Sequence, residues 1–547
     1  MMIVRPNLSI GEDFREAADN YLRRMLRKGV PSTFNNIKSL YSDQAKRKTI
    51  QDLVESYRNE KPQINGDASK SDNASDRWEK SVLYFLAQHY NYYLTRDVQK
   101  AMSYTDRLIE IAPKTYDWHM NKARIYKHMG RPAEAAKTMD FARELDLKDR
   151  WITCKCAKYQ LRNNQSDTAL KTMGNFTRND VVGGVLGDLI EMQALWYLTE
   201  DGEAYARQAR FGLALKRFHT VFNIFETWQE DQFDFHTFSL RKAQIRAYID
   251  MLRWEDQLRS HPYYTRAALD AIRVYIALHD KPQLNTYSDL PLALDPSQAS
   301  DTKAVKKAKQ DEEKALKEQQ EADRKAAAKR NNLGQDGETK KTDDDPKGLK
   351  LANTKTPLDD AMKFLTPLLD FGENDIEIQK VACAVYIRRQ KLLLALKALL
   401  ASFALNKDEP SLHTLAVRFW AEVAKTKDVP EQLSELAKNL PEQYRNGKDL
   451  AAANDRFIKE HGDDVRHACA WVRAVKVVKP ESPPDTKTVI EALGKTQGLT
   501  LRGAEEAVNA VKVCGASEEE AAKVATKGAE VLGFGKELLD RAVTSVR

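Results

Sequence analysis

The chain has 547 residues, 42 % of them hydrophobic and 31 % charged, with 23 Gly, 18 Pro and 5 Cys. This composition excludes collagen-like, disulfide-rich and wholly disordered classes, and the length allows about three domains or one elongated repeat array. The net charge of +7 permits an anionic partner without requiring one, so the placement of the basic residues matters more than their number.

The first residues, Met1 to Pro6, contain no apolar core of a signal peptide, and no later segment approaches the roughly 18 uninterrupted apolar residues of a membrane span. A soluble chain with no membrane partner is expected. Cys154, Cys156, Cys383, Cys469 and Cys514 are few, odd in number and scattered. That is the pattern of reduced intracellular thiols, and it predicts a cytoplasmic location.

Residues 1–59 read as helical, and the polar, aperiodic stretch 60–76 as a flexible loop. Over 77–296, apolar residues recur at three- and four-residue spacing and β-branched alternation is scarce, so the class is all-α. Ala87-x-x-Tyr90 recurs at Ala123-x-x-Tyr126 and again at Ala157, in steps of 36 and 34. Ala101, Ala135 and Ala169 repeat at 34, as do Pro113 and Leu147. This is the tetratricopeptide (TPR) period, with small residues where two helices cross closely. It predicts a TPR-like helical-hairpin solenoid, an α-α superhelix. The turn glycine is present as Gly130 and replaced by Asn164 one unit later.

From Glu191 to Asp280 the helices lengthen and become aromatic, through Trp196, Tyr197, Tyr205, Phe211, Phe218, Phe222, Phe225, Phe233, Phe235, Phe238, Tyr248 and Trp254. Each reads first as solenoid core and second as part of a partner-docking surface. Residues 297–356 form a charged, partly disordered linker, because Lys303 to Arg330 has almost no large apolar residue to bury. Residues 357–480 read as helical C-terminal repeats and 481–547 as a small Ala-rich helical tail.

No catalytic constellation emerges. Cys154-x-Cys156 sits in a helix, where a two-residue step turns about 200° and points the thiols apart, so no metal site is expected. His128 and His236 read as packing or surface histidines. Gln63 to Ala68 fits the Q/R-x-x-G-x-G/A pattern of GNAT acetyltransferases, but Lys61-Pro62 before it and polar residues after it deny the strand-to-helix turn that coenzyme A binding needs. The chain is not expected to be a catalyst.

A basic cluster spans the second and third repeats: Lys122, Arg124, Lys127 and Arg131, then Lys148, Arg150, Lys155, Lys158 and Arg162. Lys155, Lys158 and Arg162 share one helix face, and Lys122 and Lys127 stand one repeat earlier with Tyr126 between them. Equivalent helices of stacked repeats lie about 10 Å apart, close enough for these side chains to converge on one polyanion. A solvated charged face is the alternative, and nucleic acid and phosphorylated small molecules are not distinguished.

Several longer motifs carry a resemblance. Phe85-Leu-Ala-Gln-His-Tyr90, Lys122-Ala-Arg-Ile-Tyr-Lys-His128, Asp149-Arg150 with Lys155-Cys-Ala-Lys-Tyr159, Asp231-Gln-Phe-Asp-Phe-His-Thr237, His261-Pro262 with Leu278-His-Asp280, and Ala361-Met-Lys-Phe-Leu-Thr-Pro367 occur in this order. They resemble the auxiliary TPR subunit family of the NatA N-terminal acetyltransferase complex, from about Phe14 to the region of Trp420. The resemblance implies a non-catalytic scaffold that wraps a GNAT catalytic subunit, with docking centred on about 85 to 280. It also implies that the subunit is placed at the ribosome for acetylation of small N-terminal residues. It implies inositol hexakisphosphate as a structural ligand, drawn to Lys122, Tyr126, Lys127, Arg150, Lys155 and Lys158, with acetyl-CoA bound by the partner only. A second N-terminal acetyltransferase and a chaperone-like inhibitory protein are further implied partners. Family members carry additional N-terminal repeats, so this sequence resembles their C-terminal two-thirds. A TPR adaptor for peptide tails, of the co-chaperone kind, is the alternative; it fits the long aromatic helices and the charged linker less well.

Overall fold

The computed structural model describes residues 11–60, 68–289, scattered positions between 303 and 321, and 343, 345–427, 429–445, 447 and 449–545. Among the described residues every regular element is helical. The chain divides into two compact units, Met1–Tyr159 and Gln160–Arg547. The division falls inside the 77–296 segment, within the helix Arg150–Arg162.

In the first unit, Ala68–Asn91 pairs with Val98–Ile111 and Tyr116–His128 with Pro132–Leu145. Local chemistry sets these boundaries. The Asp97 carboxylate caps the second helix by accepting from the Lys100 amide at 3.0 Å, and Pro132 occupies the first turn of the fourth, where its missing N–H costs nothing. Ala87, Ala101, Ala123 and Ala135 are buried where the helices cross, as the 34-residue period requires. The stretch 60–76 is helical from Ala68 onward. Between Ala68 and Arg77 the sequence has no apolar residue larger than alanine, so the leading turns carry no hydrophobic stripe from which periodicity could be read.

The hairpins end alike. In Tyr116–His128 the chain turns through Gly130, with φ +67°, and the Arg131 amide donates to the Tyr126 carbonyl at 3.0 Å. In the second unit the same closure recurs at Asn164, Ala209, Ala243 and Gln390, each with φ between 52° and 61°. Gln165 reaches back to Gln160, Arg210 to Tyr205, Gln244 to Ser239 and Lys391 to Tyr386. This is the Schellman closure, which uses a left-handed residue to satisfy the last helical carbonyls.

The second unit stacks Leu195–Arg207 on Phe211–Glu230, then Pro262–Asp280, Pro357–Phe371, Ile376–Arg388 with Leu392–Leu405, and Ser411–Val423. Gly202 lets the first pair cross closely, since a Cβ there would lie 2.5 Å from the Phe218 ring. The 297–356 segment lies largely outside the described residues, but its end is packed. The backbones of Gly212 and Gly348 meet without room for a Cβ on either, Lys216 Nζ donates to the Asp345 carbonyl at 2.6 Å, and Leu349–Ala352 is helical. The glycine pair makes this approach sterically possible. The C-terminal core also begins before residue 481: Val465, Cys469 and Val472 share one apolar cluster with Val489, Val508, Val524 and Leu539.

Candidate functional site

The six residues of the basic cluster all lie in the first unit, on two helices separated in sequence by Pro132–Leu145. Lys122, Tyr126 and Lys127 stand on Tyr116–His128, and Arg150, Lys155 and Lys158 on Arg150–Arg162. The two helices share one core, with Met120 and Ala123 from the first and Ile152, Cys156 and Tyr159 from the second. Their polar edges are therefore held by the same packed layer. Arg150 is exposed and the other five are half-buried.

Tyr126 organises the first helix's contribution. Lys122 Nζ lies 5.9 Å from its ring centroid and the Arg131 guanidinium 5.2 Å, within the range of cation–π attraction. Lys122 Nζ also donates to Asp106 Oδ1 at 2.7 Å. That acid stands on the preceding helix, outside the positions from which the cluster was read. On the second helix Lys155 Nζ sits 5.3 Å from the ring centroid of Trp151, which is exposed. Both lysines thus rest on aromatic faces. A cavity of about 480 Å³ in this unit, lined in part by Phe34, Tyr84, Asp117 and Trp118, includes none of the six residues.

The thiols have separate surroundings. Cys156 is buried and its Sγ donates to Asp140 Oδ1 at 3.3 Å, while Cys154 is half-buried beside Arg150, with its thiol pKa pushed up by burial against the pull of Arg150 and Lys155. His128 Nδ1 pairs with Asn91 Oδ1 at 2.6 Å and His236 Nε2 with Glu255 at 2.6 Å. Gln63 to Asp67 of the GNAT-like pattern lie outside the described residues; Ala68 opens a helix.

A second candidate surface stands on the second unit. The aromatic series after Glu191 splits: Tyr197, Tyr205, Phe211, Phe218 and Phe225 are buried core, whereas the hairpin Gln232–Arg241 and Ile245–Glu255 carries exposed apolar residues. Phe238, Leu240, Ile245, Ile249 and Trp254 are between 41 and 55 % exposed. Ile245, Tyr248, Ile249 and Leu252 form a helical stripe at i, i+3, i+4 and i+7, yet no residue of Ile245–Glu255 is buried. Such an uncovered apolar face is a candidate interaction surface. Periodicity shows that a stripe exists, but cannot show that the chain leaves it uncovered.

The family described as "N-terminal acetyltransferase A, auxiliary subunit" matches residues 6–402. A mouse protein named N-alpha-acetyltransferase 16, NatA auxiliary subunit, is 36 % identical over 480 residues, covering 85 % of this chain and 54 % of its own length. The Arabidopsis thaliana N-terminal acetyltransferase A complex auxiliary subunit NAA15 is 34 % identical over 490 residues, covering 88 % and 53 %. A solved structure of Naa15/Naa10 bound to HypK-THB matches with a TM-score of 0.64 and 45 % identity, over 79 % of this chain and 55 % of that one. The chain spans about half the length of the curated relatives it matches. It belongs to the family of auxiliary subunits of N-terminal acetyltransferase A.

Proposed function

We propose that this chain is a non-catalytic scaffold of the NatA complex, which holds a GNAT-type catalytic subunit and helps place it at the ribosome for co-translational acetylation of small N-terminal residues. The observation that carries this reading is the family match over residues 6–402, together with the similar solved chain Naa15 in complex with Naa10. The uncovered hairpin Gln232–Arg241 and Ile245–Glu255 is the surface assigned to the catalytic subunit, because its apolar face has no cover within the described chain. No described helix is long and apolar enough to cross a membrane, in keeping with work in the cytoplasm.

Lys122, Tyr126, Lys127, Arg150, Lys155 and Lys158 form the proposed inositol hexakisphosphate site, with the polyanion as a structural ligand and acetyl-CoA held by the partner. A chaperone-like protein and a second acetyltransferase are proposed regulatory partners. Affinity purification of the tagged chain tests the scaffold: a co-purifying GNAT subunit is the expected result. Recovery of chaperone tails without that subunit would favour a peptide-tail adaptor instead.

A further inference from the structure

Five helices of the second unit pack in succession: Pro262–Asp280, Ile376–Arg388, Ser411–Val423, Val465–Val478 and Leu501–Val513. They carry Asp280, Arg388, Arg418, Arg473 and Glu506 in that order. At one end the Arg388 guanidinium grips Asp280 with two bonds, Nη2 to Oδ2 at 2.6 Å and Nε to Oδ1 at 2.8 Å. Asp280 also lies 3.0 Å from His279 Nδ1. At the other end Arg473 Nη1 meets Glu506 Oε1 at 2.6 Å. The side chains of Arg388 and Arg473 are only 12 % and 27 % exposed, while those of Asp280 and Glu506 are 40 % and 46 % exposed, so each pair opens to solvent on its carboxylate side.

Arg418 stands between them. Its helix lies between those of Arg388 and Arg473, it is half-buried, and no hydrogen bond or ion pair to a described residue holds its guanidinium. Its charged neighbours are Arg388 and Arg473, which repel it, and Asp280, which attracts it but is already engaged by Arg388. Three guanidinium groups thus face two carboxylates, and the surplus charge sits on the central one. Burial and both flanking arginines push Arg418 below the usual guanidinium range. A half-buried cation between two like charges, with no carboxylate of its own among the described residues, is left for an anion to complete.

We propose that Arg418, flanked by Arg388 and Arg473, is an oxyanion site that accepts a phosphate group. The planar fork of a guanidinium matches two phosphate oxygens, and the outer arginines add field without releasing their own carboxylates. The site belongs to the second unit and the basic cluster at Lys122 to Lys158 to the first, and the proposal does not rest on the scaffold reading.

The test uses the full chain carrying Lys155→Glu and Lys158→Glu, which removes the other basic face, with and without Arg418→Met. Thermal unfolding is followed in chloride buffer and with about 10 mM inorganic phosphate or phenyl phosphate. Phosphate is expected to raise Tm by about 2 °C when Arg418 is present and by nothing when it is replaced. Without phosphate, Arg418→Met is expected to hold or raise Tm, since it removes an uncompensated charge. Stabilisation by phenyl phosphate as well assigns the site to phosphoryl groups on larger molecules, whereas stabilisation by inorganic phosphate alone assigns it to the free ion. Equal shifts with and without Arg418, or no shift in the arginine form, would overturn the proposal. If the methionine variant does not fold, Arg418→Lys substitutes: it keeps the charge, loses the fork and is expected to lose most of the shift.

Discussion

Lys122 Nζ donates to Asp106 Oδ1 at 2.7 Å while resting on the face of Tyr126. The basic face is therefore partly neutralised from the neighbouring helix, and a polyanion that binds there must compete with Asp106 for this lysine. A half-exposed pair of this kind is worth about 0.2–1 kcal/mol. Replacing Asp106 with Asn is expected to tighten inositol hexakisphosphate binding about two- to five-fold, read by calorimetry. Unchanged or weaker affinity would show that Lys122 does not reach the ligand.

The opposite change on the second helix has the opposite sign. Lys155→Glu with Lys158→Glu reverses two charges on one helix face. It is expected to weaken inositol phosphate binding by at least about 100-fold, since charge-assisted contacts of about 1.5–3 kcal/mol each are lost. It is also expected to reduce retention of the catalytic subunit in moderate salt. Wild-type affinity in the double variant would remove these lysines from the site.

Docking at the exposed hairpin separates stability from binding. Leu240 and Ile249 are solvent-exposed in the chain alone, so Leu240→Asp with Ile249→Asp is expected to move its stability by less than about 0.5 kcal/mol per site. If the face is an interface core, the same variant loses at least about 2 kcal/mol of affinity for the catalytic subunit, or about 30-fold. Titration against that subunit and thermal unfolding of the free chain read the two effects. A large stability loss with intact binding would identify the face as core.

Inside the hairpin Leu195–Arg207 and Phe211–Glu230, Arg217 Nε donates to Asp201 Oδ2 at 2.7 Å, with the side chains 9 % and 3 % exposed. Removing one partner strands a buried charge, so Asp201→Ala alone is expected to cost about 3–5 kcal/mol. The double replacement Asp201→Leu with Arg217→Met is expected to cost less than either single one. Additive losses in a double-mutant cycle would contradict a closed pair.

Three histidines, His89 and His413 buried and His219 half-buried, set an acid limit. Burial lowers His89, His219 and His413 to about 4. Tyr41, Tyr275 and Tyr444 hydroxyls pair with them respectively, and His413 also meets Asn454. Between the unfolded value near 6.5 and about 4, the unfolded chain takes up protons that the folded chain does not. Stability is intact above about pH 6.5 and falls as pH falls, by up to about 1.4 kcal/mol per pH unit for each histidine. Tm is expected to drop between pH 7 and pH 5, and His219→Gln to flatten that slope. A flat profile in the wild type would show that the histidines do not remain neutral in the fold.

Much of the repeat order was legible in the sequence because close helix crossings tolerate only small residues. Ala87, Ala101, Ala123 and Ala135 are all buried at the spacing that revealed them. The turns were half legible: Gly130 and Asn164 announce a left-handed residue, whereas Ala209, Ala243 and Gln390 hold the same conformation with no compositional signal. Charge clustering brought Lys122 and Lys155 to attention, and the seat of Lys155 on Trp151 is an i,i+4 contact within one helix, but the pairing of Lys122 with Asp106 is a tertiary fact. The exposed hairpin was concealed for a related reason. A sequence records that Ile245 and Ile249 are apolar, not that nothing within the described chain covers them.

The scaffold assignment is tested most directly by reconstitution. The chain is co-expressed with a GNAT-type NatA catalytic subunit, purified through a tag on the chain, and assayed for acetyl transfer to Ser- and Ala-starting peptides, with each protein alone as control. The predicted result is a stable complex with activity on these peptides that exceeds that of the catalytic subunit alone, and none from the chain alone. Acetyl transfer by the chain alone, or a catalytic subunit that neither co-purifies nor changes its activity, would contradict the assignment.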